Sequence, residues 1–258
     1  MSNTDKLLEA IETRASLGEV LAVVRVLHTT TALSATVAVC EGELFPSIED
    51  RKITDQILAA TRSLIASGRV TDLIDFVDEE GSAVRLAIEV VKPKLELIVF
   101  GAGHVGQAVG LIAAIMGYDV MVVDDREEFA SRKRFPDPRI RLLACDYAIA
   151  SGKLTISSGT AVVIVTRGHQ YDELCLKSVI RSGAAYVGMI GSRRRVLSVF
   201  KKLANEGVSE RDLERVRAPI GLRIGARSPQ EIAVSILAEI IDQVNKPDHP
   251  DKGERNGI

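Results

Sequence analysis

The run Gly101-Ala102-Gly103-His104-Val105-Gly106 joins an apolar stretch, Leu97-Ile98-Val99-Phe100, to a helical pattern, and Asp124 closes the next apolar stretch. Spacing of this kind suits a phosphate held by backbone. Gly101 permits a tight turn, Gly103 lets the backbone approach a pyrophosphate, and Gly106 allows a helix to pack closely on a sheet. His104 and Val105 then open the helix, whose unpaired N–H groups carry partial positive charge toward an anion.

Further residues able to do chemistry stand in loops at the ends of other apolar runs. Asp124 or Asp125 is placed to accept hydrogen bonds from a ribose diol, and a carboxylate here favours a free 2′-hydroxyl over a 2′-phosphate. Arg126 and Arg167 can pair bidentately with phosphate or an anionic metal-oxo group, the alternative being a solvated surface. Thr166, Arg167, Gly168 and His169 form one loop, in which His169, a histidine and so of the residue type whose ordinary pKa lies near neutrality, can serve as general acid/base, as ligand, or only as a packing group. Ser192 caps a helix whose first turn holds Arg193 and Arg194, an arrangement that suits an anion and otherwise opposes the helix dipole. Cys145 and Cys175 are either soft ligands or sulfur carriers, or small buried hydrophobes. There is no C-x-x-C pair and no Cys/His spacing for zinc, so no metal site is expected.

These loops need a scaffold, and apolar periodicity supplies one. Strands are predicted at Glu96–Phe100, Asp119–Val123, Ile140–Ala144, Thr160–Val165 and Ala185–Ile190. Helices alternate with them at Val105–Met116, Tyr147–Ser151, Tyr171–Ser182, Arg193–Glu206 and Pro229–Val244. Short strands alternating with helices mark a parallel sheet with crossover helices. The fold class is therefore α/β, a Rossmann-type doubly wound parallel sheet, whose ligands bind outside the carboxyl ends of its strands. Upstream, a helix at 5–17, strands at Val20–Leu27 and Ala35–Val39, a helix at Ile48–Ala66 and strands at Val70–Val77 and Ala83–Val91 make a smaller N-terminal α+β domain. The expected division is 1–92 for that domain and 95–245 for the Rossmann-type domain, with the break at Lys92-Pro93-Lys94 and a flexible tail at 246–258.

Composition narrows the function further. With 258 residues, 46 % hydrophobic and 26 % charged, the chain is an ordinary folded protein rather than a disordered one. A net charge of −2 argues against binding nucleic acid or anionic membrane through bulk charge. Leu97 to Tyr118 is 22 residues without Asp, Glu, Lys or Arg, long enough to span a bilayer. Its glycines, His104 and Gln107 fit a buried strand, turn and helix instead, so no membrane association is expected. Without a basic segment leading into an apolar run at the N-terminus, the expectation is a cytoplasmic protein.

Taken together, several blocks resemble the XdhC/CoxI family of accessory proteins for molybdenum hydroxylases such as xanthine dehydrogenase. They are Phe100-Gly-Ala-Gly-His-Val-Gly106, Val123-Asp-Asp-Arg126 with Phe129 and Arg134-Phe135-Pro136, and Val165-Thr-Arg-Gly-His169 with Asp172. Tyr186-Val-Gly-Met-Ile-Gly-Ser-Arg193 and Ala218-Pro-Ile-Gly-Leu222 follow, then Pro229 and Glu231-Ile-Ala233. The resemblance implies a protein that binds the molybdenum cofactor as cargo, supports its sulfuration and hands it to an apo molybdenum hydroxylase of the xanthine dehydrogenase type. It implies a sulfur donor as a second partner and no turnover of its own; because domains of this kind often pair through surfaces next to the sheet, a homodimer is expected. Gly101, Gly103, His104, Val105, Gly106, Asp124, Asp125, Arg126, Thr166, Arg167, Gly168, Ser192 and Arg193 would then line the cofactor, with His169 the residue placed for proton chemistry.

The N-terminal half departs from the family pattern. Thr29-Thr30-Thr31-Ala32-Leu33-Ser34 stands near an expected Ser-x-Pro stretch, Cys40-Glu41-Gly42-Glu43-Leu44 is a remnant of a second block, and a third is missing. Arg217, Arg223 and Arg227 replace His or acidic residues. The competing use of the same glycine loop is an NAD(P)-dependent oxidoreductase or an NAD(P)-responsive sensor. An oxidoreductase would need a catalytic partner beside His169, and no Tyr-x-x-x-Lys pair is present.

Overall fold

Alternation builds the first sheet: along Ala83–Val91, Val84, Leu86, Ile88 and Val90 are buried while Arg85 and Glu89 face outward. In chain order this part holds α1 (Asn3–Ser16), β1 (Leu21–His28), β2 (Thr36–Cys40), β3 (Glu43–Phe45), α2 (Arg51–Ala66), β4 (Thr71–Val77) and β5 (Ala83–Val91). The computed structural model describes residues 3–16, 20–28, 36–40, 42–48, 50–77, 81–91 and 94–244. The expected loops at 29–34 and 78–80, Lys92, Pro93 and the tail from 245 lie outside the described residues. The chain divides into two compact units between Pro93 and Lys94, and the second unit runs to Val244.

In the first unit the strands form one antiparallel sheet in the order β3-β2-β1-β5-β4. The two expected strand pairs are thus joined by β1 against β5, a long-range pairing that local sequence does not state. Asp50 accepts a hydrogen bond from Ile53 N–H at 2.9 Å and caps α2, which explains why the helix starts later than Ile48. Ile53, Ile57 and Leu64 of α2 pack with Ala22, Val24, Val37, Val39, Leu86 and Ile88.

The second unit contains β6 (Glu96–Phe100), α3 (His104–Ile115), β7 (Asp119–Asp124), β8 (Arg141–Ala144), α4 (Tyr147–Ser151) and β9 (Thr160–Ile164). After these come α5 (His169–Val179), β10 (Tyr186–Met189), α6 (Arg193–Asn205), α7 (Glu210–Glu214), β11 (Val216–Arg217) and α8 (Pro229–Val244). Its strands pair in parallel in the order β11-β10-β9-β6-β7-β8. That is the doubly wound Rossmann order, in which the chain reverses direction across the sheet between β6 and β9. Val109 and Ala113 of α3 and Ile236 and Ile240 of α8 bury one face. Tyr147 of α4, Leu176 and Val179 of α5, and Val196 and Leu203 of α6 bury the other. The uncharged stretch from Leu97 becomes β6, the glycine turn and α3, and among the described residues no helix is long and apolar enough to cross a membrane.

The sequence reading leaves out three short elements, β3, α7 and β11, each too brief to show a period. Gly42, at φ +85°, turns the chain into β3, and β11 exists only through pairing Val216 with Val187 and Arg217 with Gly188. At α8 the expected cap is present as a reciprocal box: Ser228 Oγ accepts from Glu231 N–H at 3.2 Å, and Glu231 accepts from Ser228 N–H at 2.9 Å.

The long connection between β7 and β8 is anchored by Phe135, which is fully buried in the α3/α8 core. A Cβ on Gly110 of α3 would stand 3.2 Å from the Phe135 ring, so the contact is already tight. Phe135→Ala should cost about 3–5 kcal/mol, read as a lower urea midpoint with an unchanged slope.

Candidate functional site at the carboxyl edge of the parallel sheet

The glycine loop leaves β6 at the switch point, between the exits of β7 and β9. Gly101 takes φ +103°, and a Cβ there would lie 2.5 Å from the Val165 carbonyl oxygen. A Cβ on Gly106 would stand 1.8 Å from the Gly101 oxygen, so both positions require glycine for packing. Gly103 differs: its φ is −63° and no atom lies within 4 Å of where a Cβ would be. The first intrahelical bond of α3 runs from Gln107 N–H to Gly103 O. The N–H groups ahead of it, at His104, Val105 and Gly106, are free to face a ligand. The His104 side chain is exposed. Open space at Gly103 beside free helix N–H groups fits a phosphate or diphosphate.

Asp124 has a different task from the one its position suggests. Its side chain is 0 % exposed, and it accepts from Ala102 N–H at 2.7 Å, Arg126 N–H at 3.1 Å and the Arg126 guanidinium at 2.8 and 3.1 Å. Burial raises its pKa, but the Arg126 guanidinium and the two backbone N–H donors outweigh this and hold the carboxyl below its ordinary value. A carboxylate so enclosed fixes the glycine loop to the end of β7. Of the two acids, Asp125 is the one within reach of a ligand, with its side chain 17 % exposed.

The arginines are arranged by pairing and stacking. Arg126 lies over the Phe129 ring at 3.5 Å from the centroid, and Arg134 lies over the same ring at 4.8 Å. Arg134 also donates to Ala102 O at 3.1 Å and to Gln107 at 2.8 Å, holding the glycine loop from its other side. Arg167 donates to Asp125 Oδ2 at 2.6 Å and lies over the Tyr171 ring. Tyr171 in turn packs on Tyr147, whose hydroxyl is buried without a hydrogen-bond partner. Burial, together with the charges of Asp124 and Asp125, pushes the Tyr147 phenol well above its ordinary value.

Thr166 and Asp172 organise the neighbouring loop. Asp172 is fully buried in the first turn of α5, accepting from the Thr166 hydroxyl and from Arg195 of α6. Gly168 stands at the N-cap of α5. His169 is its first helical residue, and its side chain lies outside the described residues. Ser192 caps α6 by accepting from Arg195 N–H at 3.3 Å, and Arg193 and Arg194 are exposed with no hydrogen bond or ion pair among the described residues. A further loop closes beside β10, where Glu239 accepts from Tyr186 Oη at 2.5 Å and Gly221 N–H at 2.9 Å. Cys175 is fully buried and its thiol pKa is pushed up by burial, which makes it a core residue; Cys145 is partly buried at the end of β8. No group of metal-binding side chains occurs among the described residues.

Sequence reading therefore marks the glycine loop and the polar strand ends, with Arg193 to Arg195 together on that edge, but assigns no site role to Arg134, Phe129, Tyr147 or Asp172. Arg134 and Phe129 carried a signal in the family blocks. Arg195 stood in a basic run with Arg193 and Arg194, and only the fold distinguishes it as the one paired to Asp172.

Comparison with known proteins agrees with this architecture. The XdhC Rossmann domain model matches residues 97–240, and the chain belongs to that family. It is 35 % identical over 222 residues to the uncharacterized protein YqeB of Escherichia coli (strain K12), covering 81 % of this chain and 41 % of that protein. Identity is 31 % over 154 residues to a probable xanthine dehydrogenase subunit of Bacillus subtilis (strain 168), covering 60 % and 44 %. It is 27 % over 149 residues to the molybdenum cofactor insertion chaperone PaoD of Escherichia coli (strain K12), covering 58 % and 40 %. The chain thus spans less than half the length of these relatives. A crystal structure from Bacillus halodurans, described as a xanthine dehydrogenase, aligns over 95 % of this chain and 96 % of that one. Its TM-score is 0.52 at 17 % identity, a likeness of fold.

Because the Asp124 carboxyl is held below its ordinary value, its stabilising contribution is complete above about pH 4, where the unfolded carboxyl is ionised. That contribution is lost as pH falls through the lowered folded value. Asp124→Asn should cost about 2 kcal/mol at neutral pH, less than for a fully enclosed pair because Arg126 keeps contact with water. It should also flatten the acid limb of the stability curve, as measured by urea unfolding from pH 2 to 7.

Proposed function

We propose that this chain is a maturation factor for a molybdenum hydroxylase of the xanthine dehydrogenase type: it holds the molybdenum cofactor at the carboxyl edge of the parallel sheet, supports its sulfuration, and passes it to the apo-enzyme. Membership of the XdhC family and the names of two relatives support the class of activity. The observation that carries the ligand reading is the open seat at Gly103 beside the unpaired N–H groups of α3. The cofactor carries a phosphate or a nucleotide diphosphate tail, and such a seat accepts either. Arg167 and Asp125 each stand one residue beyond a contact with the glycine loop, made by Thr166 and Asp124, and His169 begins α5 at the same sheet edge. The same reading includes a sulfur donor as a second partner, a homodimer in the cytoplasm, and delivery without turnover.

Asp124 is fully engaged by Ala102 and Arg126, so of the two acids able to take a ribose diol only Asp125 remains within reach of a ligand.

Native mass spectrometry of gently purified protein should find a molybdopterin mass; an NAD(P) mass in its place would overturn the proposal. Gly103→Asp should abolish cofactor binding while leaving the unfolding transition at least as high as that of the parent. Position 103 is the N-cap of α3 in an extended conformation, where Asp is a favoured cap. Its carboxylate would then take the N–H groups meant for phosphate. Undiminished binding by a folded Gly103→Asp protein would remove the glycine loop from the site.

A further inference from the structure

The exits of β7 and β9 both touch the glycine loop between them. Asp124, at the end of β7, takes the Ala102 N–H at 2.7 Å, and the Thr166 Cα is 2.9 Å from where a Gly101 Cβ would be. One residue beyond each contact stand Asp125 and Arg167, and these two meet at 2.6 Å. Their ion pair crosses the sheet edge in front of β6, at the switch point where a ligand would enter. It is not a sealed pair: the Arg167 side chain is 45 % exposed. Asp125 uses one oxygen only, since Oδ1 is buried without a hydrogen bond and its ion-pair contact with Arg126 Nε is 3.8 Å long.

Resting on the reading of this edge as an anion site, we propose that Asp125 is an affinity-setting and specificity-determining residue that competes with the incoming anion for Arg167. A phosphate seated on α3 takes the Arg167 guanidinium, and the released Asp125 carboxylate then accepts from hydroxyl or amino groups carried by the same ligand. The site thereby favours a diphosphate attached to a donor-bearing group over a bare diphosphate. A bare anion must break the pair and leaves Asp125 without a replacement partner. Arg126 and Arg195 do not offer the same exchange, because their carboxylate partners Asp124 and Asp172 are fully buried.

Inorganic pyrophosphate and cytidine diphosphate, titrated calorimetrically at low salt against the full chain, Asp125→Asn and Arg167→Ala, test this. Asp125→Asn should bind pyrophosphate about 3- to 10-fold more tightly than the parent, the range expected for releasing a partly exposed pair. Arg167→Ala should bind it more weakly. The preference for cytidine diphosphate over pyrophosphate should fall in Asp125→Asn. Equal or weaker pyrophosphate binding by Asp125→Asn, or an unchanged preference, overturns the competition. If Arg167→Ala binds pyrophosphate as the parent does, or if none of the three proteins binds it, the anion-site reading itself falls with the proposal. Thermal unfolding of both variants identifies any that have lost their fold. In that event Asp125→Ser and Arg167→Gln take their place, with the same outcomes deciding.

Discussion

A single buried carboxylate ties the carboxyl edge of the parallel sheet together. Asp124 sits at the end of β7 with no exposure and accepts from the Ala102 N–H in the glycine loop and from Arg126. An unpaired ion in that position would be strongly disfavoured, so the charge persists only because each oxygen is matched by donors. The matching runs both ways. Ala102 N–H, which a turn with so few side chains could leave unsatisfied, acquires a charged acceptor, and the loop is thereby held in one conformation. Arg126, once oriented by Asp124, lies over the Phe129 ring, and Arg134 lies over the same ring while donating to Ala102 O.

From that constraint follows the division of labour among the charged residues. Three arginines at the edge, Arg126, Arg167 and Arg195, each have a carboxylate partner. Two of those partners, Asp124 and Asp172, are buried and serve to position loops; the third, Asp125, stands at the mouth. A chain with a net charge of −2 can therefore carry a dense set of guanidinium groups without a strong outward positive field. Under the proposed exchange at Arg167, affinity for an anion at this edge would depend on which pairs can change partners rather than on how many arginines are present. The free N–H groups of α3 add an attraction that needs no side chain at all.

Much of this was legible in the amino-acid sequence. β6 and β5 fall on the predicted residues, and α8 begins at Pro229 behind its Ser228 cap, because alternation, apolar runs and caps act over a few residues. The glycines were legible for the same reason, since a G-x-G-x-x-G between a strand and a helix has one sterically sensible use. Less visible were β3, α7 and β11, which depend on turns or on pairing with distant strands. Tyr147 gave no sign of its place, and its unpaired hydroxyl under the edge comes from the packing of α4 against Phe100 and Tyr171.

Local chemistry thus determined the class of fold, the glycine turn, and the set of polar residues that a doubly wound sheet must deliver to its carboxyl edge. Tertiary structure decided what each of them does there. Asp124 and Asp125 are neighbours of the same type, and nothing in their order distinguishes them. One faces inward to the Ala102 N–H and becomes part of the scaffold, while the other faces Arg167 across the end of β6 and stays within reach of solvent. Arg193, Arg194 and Arg195 differ in the same way, and only Arg195 reaches Asp172. The physical reason is that hydrogen-bond partners are chosen by distance in space. Two residues adjacent in the chain at the end of a strand point in different directions, and only the assembled sheet fixes what each one meets.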